Sequence, residues 1–240
     1  MKKIQVWDLP IRLFHWALAV MIVVCIYTIN KENITAHQYA GVFVLILLLF
    51  RVIWGVIGSS TAKFWDFLKG PVSIYNYLRY GVSKTEGHNP MGAYMVLFML
   101  AVLLVQTITG LFLTDNTYLH QDSPLYKLIS GNTRSYFKTI HQYNLYVIYV
   151  MVGLHITAIL GYFFFKGQNL VKTMVVGSRK EGEWHSPMAK EMSGNKPWLA
   201  LIIIIVLGIV VPYMLYGYMK NVEFFVWIKN TTLWLKGLLF

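Results

Sequence analysis

Charge is scarce in this chain. Only 13% of its 240 residues are Asp, Glu, Lys or Arg, and 57% are hydrophobic, against about 25% charged in a typical soluble domain. That balance marks an integral membrane protein. Carboxylates are scarcest, 10 against 21 Lys and Arg. No Asp or Glu lies deep within any long apolar run, which argues against a proton pump built on an acidic relay and against a carboxylate-bridged di-iron site. Cys25 is the one cysteine, so there is no internal disulfide, no Cys-rich iron–sulfur cluster and no C-x-x-C-H attachment of c-type haem. H-E-x-x-H zinc spacing is absent. So is strand-like alternation of barrel length, which leaves helices as the spanning elements. No small-residue cleavage site follows the first apolar run, which predicts a retained helix instead of a signal peptide.

What is present is five apolar stretches, at roughly 12–30, 37–57, 91–114, 140–165 and 198–219, each near the ~20 residues a spanning helix needs. The net charge of +11 falls mostly in the loops between them, which fits anionic lipid and topology signals and not nucleic acid. Lys2, Lys3 and Arg12, the loop with Lys63, Lys69, Arg79 and Lys84, and the loop from Lys166 to Lys196 lie on one side. The opposite side carries fewer cations, so the N-terminus is expected in the cytoplasm, with a multi-pass topology. Residues 64–80, aromatic-rich and broken at Gly70-Pro71, are expected along the cytoplasmic surface. Residues 222–240 place Phe224, Trp227, Thr231, Trp234 and Leu238 on one stripe and predict an amphipathic interfacial helix.

Of seven histidines, four lie in or at the edges of spans: His15, His37, His141 and His155. Ionisable groups at membrane depth are costly and usually functional, although a lone one also serves as a hydrogen bond between helices. Alternating span direction sorts these four by depth. His15 and His155 share the cytoplasmic level, and His37 and His141 share the outer level. His141 and His155, fourteen residues apart, face one way about 21 Å apart along a helix. Facing imidazoles suit the two axial positions of a haem iron. Without a C-x-x-C-H motif the haem would be non-covalent b-type, and two such haems would form an electron wire across the bilayer.

Arg51 follows His37 by the same fourteen residues, which puts it at the cytoplasmic level on the same face. Either it pairs with a haem propionate or it snorkels at a helix end. Arg12, one turn before His15, has the same two readings. Gly41, one turn after His37, and Gly110 and Gly153 leave room for a macrocycle, or for close helix packing.

The segments "VWDLPIRLFHW" at 6–16, "AHQYAGVFVLILLLFRVIWG" at 36–55, "GHNPMGA" at 87–93, "TGLF" at 109–112 and "HQYNLYVIYVMVGLH" at 141–155 resemble the bacterial cytochrome b561 family. This family includes the b-type cytochrome subunits of nickel–iron hydrogenases. The likeness covers about residues 4–180. It implies an all-α integral membrane protein, a four-helix transmembrane haem-binding bundle, here with a fifth transmembrane helix and a C-terminal amphipathic helix. It implies two haem b groups, bis-histidine ligated, at the positions of His15, His37, His141 and His155, and electron exchange with quinone. His88 matches a family motif and is expected near the cytoplasmic haem edge or a quinone site. His120 and His185 match nothing and are expected in surface loops. On this reading residues 1–180 form the di-haem domain and 181–240 an added helix and tail. The implied function is electron transfer between the quinone pool and a periplasmic redox partner, a c-type cytochrome or a hydrogenase. Some relatives instead oxidise superoxide at the outer haem and reduce quinone, and Lys127, Arg134 and Lys138 suit such an anion.

Overall fold

The computed structural model describes residues 3–80, 90–114, 122–180, 193–194 and 196–217. His88, His120, His185 and the expected amphipathic tail at 222–240 lie outside the described residues. Five helices are long and apolar enough to span a membrane: α1 (Leu9–Asn30), α2 (Ile34–Ile57), α5 (Pro90–Gly110), α6 (Gly131–Lys166) and α8 (Pro197–Gly217). Three short helices connect them: α3 (Phe64–Phe67), α4 (Pro71–Tyr80) and α7 (Leu170–Val176).

Local chemistry sets the ends. Asp8 caps α1 by accepting from the Ile11 amide at 2.7 Å, with Pro10 in the first turn. Asn33 caps α2 through Ala36 N at 3.0 Å. The turn between these helices is only Lys31 to Asn33, so α1 and α2 pack antiparallel. Gly167 ends α6 and Gly177 ends α7, both at positive φ, 63° and 84°, where glycine carries no Cβ penalty. The break between α3 and α4 falls at Gly70-Pro71, as the sequence predicts. At 36 residues α6 is about 54 Å long, more than a hydrocarbon core of about 30 Å. Its Ser130 cap therefore starts it nine residues ahead of the apolar run that begins at 140.

One element was absent from the sequence reading. Lys3–Gln5 (β1) pairs antiparallel with Ser178–Lys180 (β2), with Ile4 opposite Arg179. Val6 N and Trp7 N both donate to Gly177 O, at 2.9 and 3.1 Å. Three residues are too few to show a period, so alternation could not reveal this ribbon. Its effect is to clamp the start of α1 to the segment after α7.

Helix α2 is central. It supplies Val44, Leu47, Leu48, Phe50 and Trp54 to the main buried cluster, joined there by Phe14 of α1, Leu100 and Leu103 of α5, Ile148 and Met151 of α6 and Ala200 of α8. The other four spans keep large apolar residues exposed, among them Val20, Phe98, Leu154 and Ile209. In water such faces would be a liability; here they are the lipid-facing surface of a membrane bundle.

Candidate functional site: two histidine pairs across the bundle

Helix α1 carries His15, α2 carries His37, and α6 carries both His141 and His155. The fold brings them together as His15 with His155 and His37 with His141. The ring centroids are 6.3 Å apart in each pair. An imidazole nitrogen lies about 1.1 Å from its ring centroid and binds a metal at about 2.0 Å, so two imidazoles on opposite sides of one ion have centroids about 6.2 Å apart. Both pairs match that span. Among the described residues no group of three or more His, Cys, Asp or Glu could hold a metal; the arrangement is two-and-two.

The pair at the His37 end has its rings oriented by backbone. His37 Nδ1 lies 2.9 Å from Cys25 O, and His141 Nδ1 lies 2.9 Å from Gln106 O and 3.2 Å from Thr109 Oγ1. A carbonyl can only accept, so each Nδ1 carries the proton and donates it. That fixes the tautomer and leaves each Nε2 lone pair available to a metal. Gln106 is itself held: Asn144, one turn before Ile148 on α6, donates from Nδ2 to Gln106 Oε1 at 2.8 Å and to Val102 O at 3.0 Å. A cavity of about 350 Å3 opens between these helices, lined by His37, Gly41, Gly110, Ser123, Lys138 and His141.

Two glycines shape this space differently. A Cβ on Gly110 would stand 3.0 Å from His141 Cε1, so Gly110 is what allows the ring its position. A Cβ on Gly41 would meet nothing within 4 Å, and Gly153 is equally open. The open space beside Gly41 and the free Nε2 atoms fit a flat metal-bearing ring held by two imidazoles.

The end of the bundle that holds the other pair also holds buried charge. Arg51 is 3% exposed, and its Nη1 is buried with no hydrogen-bond partner. Its guanidinium lies 4.6 Å from the Phe64 ring centroid. Gly55, one turn on, makes this possible: a Cβ there would be 2.1 Å from Phe64 Cε2. An unsatisfied buried guanidinium nitrogen is costly, and a propionate oxygen is the kind of acceptor that would satisfy it. Arg12 is committed differently. Its Nη2 donates to Val175 O, at the carbonyl end of α7, where a cation also meets the helix dipole. His15 Nδ1 is buried without a hydrogen-bond partner, and the His15 ring stands edge-on to Trp16 at 5.2 Å.

Several residues of these sites escaped the sequence reading. Gln106, Thr109 and Asn144 are neutral, and only ionisable groups were sought at depth; amides inside a span were the available signal. Asp8 was read only as part of a motif, yet it is fully buried and takes three hydrogen bonds, from Ile11 N, Trp54 Nε1 at 2.9 Å and Ser59 Oγ at 2.5 Å.

A transmembrane helical bundle that pairs histidines at two depths defines a class, the membrane-embedded b-type cytochromes. The family model of prokaryotic cytochrome b561 matches residues 6–177, and the chain belongs to that family. It is thus a multi-pass membrane protein of electron transfer that carries haem b. Curated relatives include the probable Ni/Fe-hydrogenase B-type cytochrome subunits of Rhizobium leguminosarum bv. viciae and Azotobacter vinelandii. The first is 25% identical, over 74% of this chain and 89% of the relative. The second is 26% identical, over 73% and 88%. That of Rhodobacter capsulatus is 22% identical, over 74% and 81%. No solved structure matches.

Proposed function

We propose that this chain is a di-haem b-type cytochrome of the bacterial inner membrane that passes electrons between the quinone pool and a periplasmic hydrogenase or c-type cytochrome. The observation that carries this reading is the equal 6.3 Å separation of two histidine pairs at opposite ends of one bundle, the span two axial imidazoles require. Haem, when bound, supplies reversible one-electron chemistry at iron. The residues of the chain do the rest. His15 and His155 hold one group, and His37 and His141 the other. Cys25 O and Gln106 O keep the second pair in the binding tautomer. Arg51 offers Nη1 to a propionate at the first site, with Arg12 one turn before His15 adding positive charge. Gly41 leaves the macrocycle its space.

The positive-inside pattern places the His15 end in the cytoplasm and the His37 end toward the periplasm. A periplasmic hydrogenase partner is supported by the names of the relatives. Quinone exchange is assigned to the His15 end. There an apolar cavity of about 430 Å3, lined by Ile159, Leu160, Phe163, Leu170 and Val175 with Lys172 at its edge, begins one turn past His155. His88 belongs to that end by sequence. Residues 1–180 carry all four histidines and form the haem-binding unit; 181–240 add α8 and the tail. Helix α8 packs along α2 mainly through apolar side chains, with the Tyr39 and Tyr216 rings 5.9 Å apart.

A pyridine haemochrome assay on purified protein tests the reading, with two haem b per chain expected. Finding one or none overturns it. Anaerobic addition of quinol should then reduce both. A second reading, superoxide oxidation with quinone as acceptor, draws on Lys138 in the lining of the His37 cavity. Arg134 serves it less, since its Nη2 already donates to Tyr126 O and Ile129 O. Faster stopped-flow reduction by superoxide than by quinol would favour that second reading.

A further inference from the structure

Asp8 is the one carboxylate among the described residues that the fold buries completely. It stands where α1 begins, and its Oδ2 takes both the Trp54 indole N–H from α2 and the Ser59 hydroxyl from the turn after α2. Its Oδ1 takes the Ile11 amide. Three donors on one carboxylate satisfy it as an acceptor and fix it in place. Trp54 lies one turn beyond Arg51 on α2 and stacks on Phe50 at 5.9 Å and 14°, so the bond to Asp8 locks the very turn that presents Arg51. A guanidinium buried to this depth needs a counter-charge when no other acceptor is present. Asp8 is the buried carboxylate at this corner of the fold. It also stands two helical turns before His15, about 10 Å along the axis and on nearly the same face.

We propose that Asp8 is a positioning and potential-setting residue: it fixes Trp54 and the Arg51 turn, and its buried negative charge lowers the reduction potential of the haem held by His15 and His155. The proposal rests on the di-haem reading above. The oxidised haem core carries one more positive charge than the reduced core. A fixed anion nearby therefore favours the oxidised form, and burial prevents solvent from screening it. At about 10 Å and an effective dielectric of about 20, one charge changes such an equilibrium on the order of tenfold, about 59 mV for one electron.

The test compares full-length wild type, Asp8→Asn and Ser59→Ala in detergent or nanodiscs. Haem b per chain is counted first, and the midpoint of the component that disappears in His15→Ala is then titrated. Asp8→Asn removes the charge and keeps the shape. Ser59→Ala keeps the charge and removes one donor. The proposal expects both variants to retain two haems, Asp8→Asn to raise that midpoint on the order of tenfold in the oxidation equilibrium, and Ser59→Ala to leave it unchanged or lower it. An unchanged or lowered midpoint in Asp8→Asn overturns the proposal. A rise in both variants also overturns it, because the shift then follows packing at this corner and not charge. Loss of haem from Asp8→Asn with retention in Ser59→Ala overturns it too, since the carboxylate then serves assembly alone. Failure of the di-haem reading would show separately, as wild-type protein with fewer than two haems.

Discussion

The two histidine pairs share one spacing, 6.3 Å between ring centroids, and differ in almost everything around it. At the His37 end each Nδ1 is tied to a neutral carbonyl, and the second layer is an amide, a hydroxyl and another amide: Gln106, Thr109 and Asn144. At the His15 end His15 Nδ1 has no hydrogen-bond partner, and that end of the bundle also holds a buried guanidinium, Arg51, and a buried carboxylate, Asp8. The spacing is the one that two axial imidazoles on one iron would need, so it is common to both. On the di-haem reading, the surroundings are where two chemically identical groups would be given different potentials, one end through hydrogen bonds to the ligands and the other through fixed charges.

The comparison is broken most directly by removing a ligand. His15→Ala is expected to leave one haem per chain, the one at the His37 end, and His37→Ala the reverse. Reduced-minus-oxidised spectra with haem counts measure this. If the same component disappears from both variants, the histidines do not act as two pairs.

That pairing was legible before any coordinates, and the reason is physical. Helices in a membrane alternate direction, so the position of a residue along its span gives its depth, and four depths sorted into two levels. The bonds between the start of α1 and the end of α2 were hidden because they join residues far apart in sequence, Asp8 with Trp54 and Ser59. Nothing local in "VWDLP" tells that its aspartate faces a tryptophan 46 positions on. The β1–β2 ribbon was hidden by its brevity. Arg12 shows a third kind of limit. Its place one turn before His15 puts it at that end of α1, yet only the fold shows that α7 returns to offer the Val175 carbonyl to its guanidinium.

Next in size is a change in the shape of one site. Gly110→Ala puts a methyl group 3.0 Å from His141 Cε1, and that ring is held by two contacts and has little freedom to yield. Overpacking of this kind costs about 1–3 kcal/mol, offset in part by the better helix propensity of alanine, about 1 kcal/mol. The expected result is weaker retention of the haem at the His37 end, with an altered low-spin electron paramagnetic resonance signal, and an unchanged signal from the His15 end. Equal loss at both ends would mean that the methyl group disturbs the whole α5–α6 interface and not one ligand.

A smaller effect, confined to the other end, is expected from Arg51→Leu. Removing a cation beside the His15 site favours the oxidised form, so that midpoint should fall. A charge at about 10–12 Å with an effective dielectric of about 20 is worth about 1.4–1.7 kcal/mol, on the order of 60 mV for one electron. The midpoint of the His37 component should not move. A redox titration in which the His37 component shifts more would reverse the assignment of charge to one end.

Smallest is the change expected from Thr109→Val, which is nearly isosteric and removes the Oγ1 that stands 3.2 Å from His141 Nδ1. The stronger acceptor, Gln106 O at 2.9 Å, remains, so the tautomer and ring position should hold and both haems should stay bound. An acceptor on Nδ1–H makes the imidazole a better electron donor to iron and favours the oxidised form. Losing the weaker of two acceptors should therefore raise the midpoint of the His37 component slightly. A neutral hydrogen bond contributes about 0.5–1.5 kcal/mol net, and a shared one falls at the low end, so a rise of about 20 mV is expected, since about 59 mV corresponds to a tenfold change for one electron. Thr109 Oγ1 also donates back to Val105 O at 2.7 Å, and valine releases that carbonyl to its helical partner without cost to α5. The sign is the informative part. A fall would mean that the hydroxyl acts on His141 as a donor, which requires the other tautomer and would undo the argument that Nε2 is the atom left for the metal.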